Sequence, residues 1–265
     1  MKVFESLSFG GVTHVMAVIN LSPESRNLHT VAANLDEARA MAHRYRDWGA
    51  SVIDLGGQSS HYDNPTISSE AELARLLPAV TALVGDGFLL SIDTWKPEVA
   101  RACLQEGASI INDTGGLVDP AMVAVVAASS AAAVAVYVEG RNPHDVGDID
   151  TGGDKARRTA ELFRERLLTL DDAGVKDVII DPGIALNYRG DYEAYTRLQL
   201  EVIRESAHLH DLNRPVLIPI PRKQEFARVM AFVSLALEYE ADMIRVHDVK
   251  AACDLARLFE RLPGA

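Results

Sequence analysis

Gly49-Ala-Ser-Val-Ile-Asp54 decides the fold, because the phrase returns with variation as Gly107-Ala-Ser-Ile-Ile-Asn112, Gly174-Val-Lys-Asp-Val-Ile-Ile-Asp181 and Glu240-Ala-Asp-Met-Ile-Arg245. Each copy ends a helical pattern at a small residue, runs through a short apolar strand and stops on one polar side chain. A parallel strand covered on both faces reads as a near-continuous apolar run. The polar residue at its C-terminal end is therefore where buried structure meets chemistry. In a β/α barrel such ends converge on one face.

Working outward, strand and helix patterns alternate along the whole chain. Strands are expected at Thr13–Ile19, Val52–Leu55, Phe88–Ile92, Ser109–Ile111, Ala132–Val138, Val178–Ile180, Val216–Ile220 and Met243–Val246. Between and after them, helices are expected at Leu35–Trp48, Ser69–Val84 (with a possible kink at Pro78), Pro97–Glu106, Pro120–Ser130, Lys155–Asp172, Tyr192–His208, Gln224–Glu240 and Val249–Leu262. Eight strands and eight helices in strict order predict an α/β fold of the TIM (β/α)8 type, with right-handed crossovers, as a single domain over residues 1–265. An open doubly wound sheet is the alternative, but no Gly-x-Gly-x-x-Gly follows any strand. The stretches 21–34, 58–67 and 140–154 have no strong pattern and read as loops.

A chain of 265 residues suits one such barrel, with 48% apolar and 24% charged residues. The net charge of −12 argues against a nucleic-acid partner, which would need a basic footprint. It does not exclude an anionic small substrate held by a local cluster of cations. Cys103 and Cys253 both fall in helical patterns and are expected as buried reduced thiols. The start, Met1-Lys-Val-Phe-Glu-Ser6, is polar and leads toward the first strand, and the Ala-rich stretch Ala121–Val138 reads as helix then strand rather than a membrane span. A cytoplasmic protein without a membrane partner is the expectation.

The strand ends are Asn20, Asp54-Leu-Gly-Gly57, Asp93, Asn112-Asp113, Glu139, Asp181-Pro-Gly183, Arg222-Lys223 and Arg245-Val-His247. Any one of them could simply cap the next turn, and Asp54 and Asp113 read readily as structural. Together they sort by chemistry. Asp93, Asn112 and Asp181 offer carboxylate and amide groups for the N–H edge of a polar heterocycle. Arg222, Lys223, Arg245 and His247 follow the last two strands, where barrels commonly hold phosphate, and Arg grips phosphate through paired hydrogen bonds. The residues describe a barrel enzyme for a phosphorylated, nitrogen-rich heterocycle.

In order and spacing, Met16-Ala-Val-Ile-Asn-Leu-Ser-Pro-Glu-Ser25, Gly49–Gly57, Ser91-Ile-Asp-Thr94, Ile111-Asn-Asp113, Asp181-Pro-Gly-Ile184, Arg222-Lys223 and Arg245-Val-His-Asp248 resemble the dihydropteroate synthases of the pterin-binding barrel family. The resemblance runs from about Val15 to Val249. It implies transfer of a pterin-methyl group from 6-hydroxymethyl-7,8-dihydropterin pyrophosphate to 4-aminobenzoate in folate biosynthesis. It further implies a pterin pocket of Asp93, Asn112, Asp181 and Lys223, and a pyrophosphate site of Asn20, His61, Arg245 and His247. Mg²⁺ is implied near Asn20, catalytic roles for Asp93, Lys223, Arg245 and His247, and a homodimer through late helices.

Departures from the family pattern fall on the other substrate's side. The first loop, in the family Thr-Pro-Asp-Ser-Phe-Ser-Asp-Gly-Gly, is Ser22-Pro-Glu-Ser-Arg-Asn-Leu-His29. The second, in the family Glu-Ser-Thr-Arg-Pro-Gly, is Gln58-Ser-Ser-His-Tyr-Asp63, so His61 stands for an Arg and Tyr62 for a Pro. Ser60, Tyr62, Leu186 and Pro221 are the expected acceptor pocket, with Leu186 replacing an aromatic wall and Pro221 a Ser. Strand five ends Tyr137-Val-Glu-Gly140 instead of His-Met-(Arg or Gln)-Gly. A lost polar or aromatic contact is typically worth ~1–3 kcal/mol, so several together could change the acceptor. Two acceptor readings follow: 4-aminobenzoate, or another amine or nucleophile. A methyltetrahydrofolate-dependent methyltransferase needs no pyrophosphate site and resembles Asn rather than Lys at Lys223. A non-catalytic pterin-binding protein would have no use for Asn20 and His247.

Overall fold

A computed structural model describes residues 3–148, 150 and 152–264; Met1, Lys2, Ile149, Thr151 and Ala265 lie outside the described residues. The strands are β1 His14–Asn20, β2 Val52–Gly56, β3 Leu90–Asp93, β4 Ile110–Asp113, β5 Ala132–Val136, β6 Val178–Asp181, β7 Leu217–Pro219 and β8 Met243–Val246. The helices that follow them in turn are α1 Leu35–Trp48, α2 Ser69–Gly85, α3 Pro97–Gln105, α4 Pro120–Ala127, α5 Lys155–Asp172, α6 Tyr192–Arg204, α7 Phe226–Glu238 and α8 Val249–Leu258. All strand pairs are parallel, in the order β6-β5-β4-β3-β2-β1-β8-β7. A parallel bridge between Ile180 and Val216, with Ile180 N–H donating to the Pro215 carbonyl at 2.8 Å, joins the two ends into a barrel.

Side chains alternate across a strand with period two, and that parity separates packing from chemistry. Outward residues such as Ile53, Leu55, Ile92, Ile111, Ile180 and Ile244 are fully buried under the helices. Inward residues fill the barrel in layers. The lower ones are Met16, Val52, Ile110, Ala132, Ile179, Leu217 and Met243, closed from below by Val3 and Leu7. Burying a large aliphatic side chain stabilises by ~1.5–3 kcal/mol. Continuing the inward parity upward leads to Asp54, Asp93, Asn112, Asp181 and Arg245. Asp113 falls on the opposite parity. Its carboxylate accepts the Gly115 and Leu117 N–H groups at 2.7 and 2.9 Å and shapes the turn after β4.

Several boundaries differ from the sequence expectation. The chain start forms a helical turn, Val3–Ser6, before β1 begins at His14. Phe88 is in the turn before β3, where its N–H is taken by the Leu83 carbonyl. β3, β4 and β6 run on through their polar ends because the ladder continues to Asp93, Asn112 and Asp181. The helix expected to reach His208 stops at Arg204 and resumes as a turn at Ala207–His210, while α4 ends at Ala127 and α7 begins at Phe226. α8 ends at Leu258, and Glu260 beyond it is left-handed (φ 55°). Pro78 is carried inside α2 without interrupting it. Within the stretch after β5, Gly140 bridges Val146 and Asp148 bridges Arg189. Both cysteines are buried and free, as expected.

Gly183, after β6, has φ +71° and lies so close to the Tyr137 carbonyl that any Cβ would collide with backbone. Only glycine serves a left-handed position with no room. Gly183→Ala is expected to destabilise the fold by ~3 kcal/mol or more, read as a lowered urea midpoint with an unchanged m-value.

Candidate active site

Arg245 sits at the centre of the barrel mouth. Its Nε donates to Asp54 Oδ2 and its Nη2 to Asp93 Oδ2, both at 2.7 Å, and Asn112 Nδ2 reaches Asp54 Oδ2 at 3.4 Å. One guanidinium thus ties the ends of β8, β2 and β3, with β4 joined through Asn112. Burial opposes the charge of Arg245, but Asp54 and Asp93 outweigh it and hold it firmly protonated. Burial also raises the Asp93 carboxyl against the pull of Arg245. Asp181 is pushed up to about 7, again by burial, although its Oδ1 accepts the Gly183 N–H at 2.6 Å. Asp54 Oδ1 and Asn112 Oδ1 are buried without a hydrogen-bond partner. Unpartnered acceptors in a buried site are costly and mark where a donor is missing.

Three cavities meet here and share walls. The inner one, about 30 Å³, is lined by Asp93, Asn112, Asp181, Leu186, Ser60 and Arg245, which lies across it. The middle one, about 240 Å³, shares Ser60, Asp93, Ala185 and Arg245 with it and adds Asn20, His61, His247, Arg26 and Arg222. The outer one, about 390 Å³, shares Arg26, Asn27, Ile220, Arg222 and His247 with the middle cavity and opens between the first loop and α7.

The candidate residues expected at the pyrophosphate site therefore come together, and a cation not singled out beforehand, Arg26, joins them. His247 is neutral here. Burial, with Arg245 nearby, holds it well below its ordinary pKa, and Asn27 and Thr30 bond its two ring nitrogens at 2.9 and 3.1 Å. Thr30 also accepts from Asn20 Nδ2 at 2.8 Å, so the first loop folds down onto β1 and β8. His61 is buried, held below its usual pKa chiefly by burial, and stacks on Tyr62.

Lys223 is placed otherwise than expected. Its ammonium points to α6, donating to Thr196 at 2.8 Å and Gln199 at 2.6 Å under the Tyr192 and Phe232 rings, and it lines the outer cavity instead of the inner one. Burial lowers its pKa to about 8. Of the four expected acceptor residues, Ser60 and Leu186 line the inner cavity and Pro221 the outer, while Tyr62 packs beneath the Arg189 guanidinium. Glu139 contacts Lys155 instead of facing the site.

Besides Arg26, two further positions at the mouth do not stand out in the sequence. Asp54 looked structural, yet it has the inward parity of Asp93 and is the second anchor of Arg245. Lys96 bonds Gln58 Oε1, the Ile67 carbonyl and Glu72 Oε2 at 2.6, 2.6 and 2.7 Å, and so fastens the second loop, which carries Ser60 and His61, onto α2. No sequence pattern announces that contact.

Residues 16–257 match the model of the pterin-binding enzyme family. The chain belongs to this family. It is 28% identical to the dihydropteroate synthase of Synechocystis sp., covering 96% of this chain and 91% of that protein. It is likewise 33% identical to part of a probable bifunctional folylpolyglutamate synthase/dihydropteroate synthase of Halobacterium salinarum, covering 95% of this chain and 32% of that protein. Among solved structures, it resembles the Thermus thermophilus dihydropteroate synthase in complex with 4-aminobenzoate (TM-score 0.77, 27% identity, 95% of each chain). The Burkholderia cenocepacia enzyme complexed with 7,8-dihydropteroate is similar at TM-score 0.77 and 29% identity, over 94% of this chain and 90% of that one.

The raised pKa of Asp181 has a measurable sign. Between its ordinary value and about 7 the folded protein holds a proton that the unfolded chain has released, so stability falls as pH rises through this window. Relative to Asp181→Asn, the unliganded protein is expected to lose ~1.4 kcal/mol per pH unit there, measured by urea unfolding at stepped pH. Parallel curves for the two proteins would contradict the assignment. Lys96→Met leaves Glu72 buried without its cation and is expected to cost ~3–5 kcal/mol, by the same measurement.

Proposed function

We propose that the chain is a dihydropteroate synthase, joining 6-hydroxymethyl-7,8-dihydropterin pyrophosphate to 4-aminobenzoate with release of pyrophosphate. The observation that carries this reading is the set of inward acceptors on Asp93, Asn112 and Asp181 at one end of a cleft whose other end is lined by Arg26 and Arg222, with Arg245 lining both parts. The 2-amino–N3–H edge of a pterin is a guanidine fragment. Arg245 already presents such a donor fork to Asp54 and Asp93, and a pterin entering the inner cavity takes over donors' places as Arg245 swings toward the leaving group. The binding of 4-aminobenzoate and 7,8-dihydropteroate by relatives supports the same pair of substrates.

In the reaction the methylene C–O bond breaks and pyrophosphate leaves with the electron pair. The arylamine nitrogen forms the new C–N bond and its proton passes to solvent. The carboxylates of Asp93 and Asp181 stabilise positive charge spreading from the methylene into the ring, and Arg245 receives the leaving charge. Asn20 suits the Mg²⁺ that the family resemblance implies: its amide N–H₂ is held by Thr30, leaving its oxygen as one hard ligand. Among the described residues no group of three His, Cys, Asp or Glu could hold a metal alone, so the remaining ligands would be pyrophosphate oxygens and water. When bound, Mg²⁺ would supply charge neutralisation on the leaving pyrophosphate. A cytoplasmic location belongs to the same proposal, and no helix of the described residues is long and apolar enough to cross a membrane. So does a homodimer through the late helices, where Leu258 of α8 is exposed.

The test is pyrophosphate release from the dihydropterin ester with Mg²⁺, with and without 4-aminobenzoate, products identified by mass. Release that depends on 4-aminobenzoate and yields dihydropteroate is expected. Asp181→Ala is expected to lower pterin affinity at least ~100-fold, roughly 3 kcal/mol for a buried heterocycle edge left unpaired. Unchanged affinity by calorimetry would remove Asp181 from the pocket.

A further inference from the structure

The outer cavity differs in character from the two behind it. Its far wall is apolar, built from Ile220 and Pro221 after β7 and from Phe226, Val229, Met230 and Val233 of α7. Leu28 and Phe226 stand exposed at its rim, one on the first loop and one at the start of α7. Its join with the middle cavity is cationic, because Arg26 and Arg222 line both. Arg26 is held by Asp63 at 3.3 Å, whereas Arg222 is exposed and has no ion-pair partner among the described residues. At about 390 Å³ the cavity falls in the range of small-molecule sites, roughly 300–1,000 Å³, and an apolar wall with a few placed polar groups is the usual lining of such sites.

Residues at two edges of this cavity depart from the family pattern. Arg26 replaces the Phe of the first loop, and Pro221 replaces a Ser. Pro221 presents ring carbons and has no N–H to donate. An aromatic acid whose carboxylate paired with Arg26 and Arg222 would leave the apolar wall beyond the junction uncovered. We infer that the preferred acceptor is an aromatic amine extended from its carboxyl end by an apolar group, with an anion kept at the junction. The aryl amine lies in the middle cavity facing the pterin methylene, the anion pairs with Arg222 and Arg26, and the apolar group lies along α7 against Val229 and Met230. This rests on the proposed synthase reaction, and it concerns only which amine is used.

A 4-aminobenzoyl amide of leucine serves as the probe, because it retains the aryl amine and places an isobutyl group and a carboxylate beside each other at the junction. Two readouts separate this inference from the reaction assigned above. The first is kcat/KM for 4-aminobenzoyl-leucine against 4-aminobenzoate, with dihydropterin pyrophosphate and Mg²⁺. The second is the dissociation constant of each amine, by calorimetry, for protein already saturated with 6-hydroxymethyl-7,8-dihydropterin and pyrophosphate, which does not require turnover. A preference of about tenfold or more for the leucine amide is expected in both, since one methylene gained in an apolar pocket is typically worth that much. Met230→Trp and, separately, Val229→Trp should fill the cavity and return the ratio of the two amines to near one. The glycine amide, lacking the apolar group, should show no preference. Equal or weaker binding of the leucine amide, or a preference that survives both tryptophan variants, would overturn the inference even if dihydropteroate forms normally. A tenfold binding preference without turnover of either amine would uphold it and overturn the synthase reaction instead.

Discussion

The ion triad of Arg245, Asp54 and Asp93 is the constraint on which the rest of the mouth depends. Two carboxylates facing one another inside a barrel would repel, and each would resist ionisation in a site shielded from water. A guanidinium can meet two carboxylates at once through separate N–H groups, and Nε and Nη2 of Arg245 do so, each at 2.7 Å. Because Arg245 comes from β8 and its partners from β2 and β3, the triad also spans β1 and fixes the relative height of four strands. Paired charges in such a place rarely add net stability compared with apolar packing. Their value lies in what replaces the cation. A ligand that presents a guanidine-like edge can substitute for Arg245 without leaving the carboxylates unpaired, and that exchange frees a cation to meet the ligand's negative end.

The loops above the triad are secured by neutral and ionic contacts of a different kind. Neutral His247 joins Asn27 and Thr30, so the first loop is held by hydrogen bonds that a phosphate oxygen could compete for. The second loop is held by Lys96 with Glu72 and Gln58. Glu24 of the first loop makes a bidentate pair with Arg75 of α2, whose guanidinium also reaches the Gly57 carbonyl. Both loops are thus tied to α2, the first through Glu24 and Arg75 and the second through Lys96 and Glu72.

Much of this was legible in the sequence because the physical signals are strong and local. Alternating apolar strands and amphipathic helices specify the barrel, and α1, α5 and β8 begin and end where their patterns do. The strand-end residues Asp93, Asn112, Asp181 and Arg245 were readable as a converging set because parity and the C-terminal face both follow from backbone geometry. Side-chain aim is another matter. Lys223 reads as a site cation by position, yet Thr196 and Gln199, over twenty residues upstream, supply two acceptors and two aromatic rings cover its stem, so it turns to α6. Asp54 and Asp113 look alike in sequence, and only their opposite parity sends one to Arg245 and the other to a turn. Lys96 and Arg26 act through tertiary contacts that no local pattern encodes.

Polarity along the cleft changes in one direction, and that gradient constrains any account of the chemistry. The inner end is acidic and narrow, the middle cationic, and the outer end apolar toward α7. A ligand carrying donor nitrogens at one end and phosphates at the other is oriented by the first two zones alone, since reversing it would place phosphates against carboxylates at a cost of several kcal/mol. The acceptor must then enter from the side where Ser60 and Ala185 meet Arg222, because the inner end is closed by Leu186, Val136 and Pro219. Orientation of one partner by charge and of the other by shape brings the arylamine and the methylene together without any protein nucleophile. In such a site the rate depends on holding two molecules in register while one loses a stabilised leaving group, which is a task for rigid strand ends.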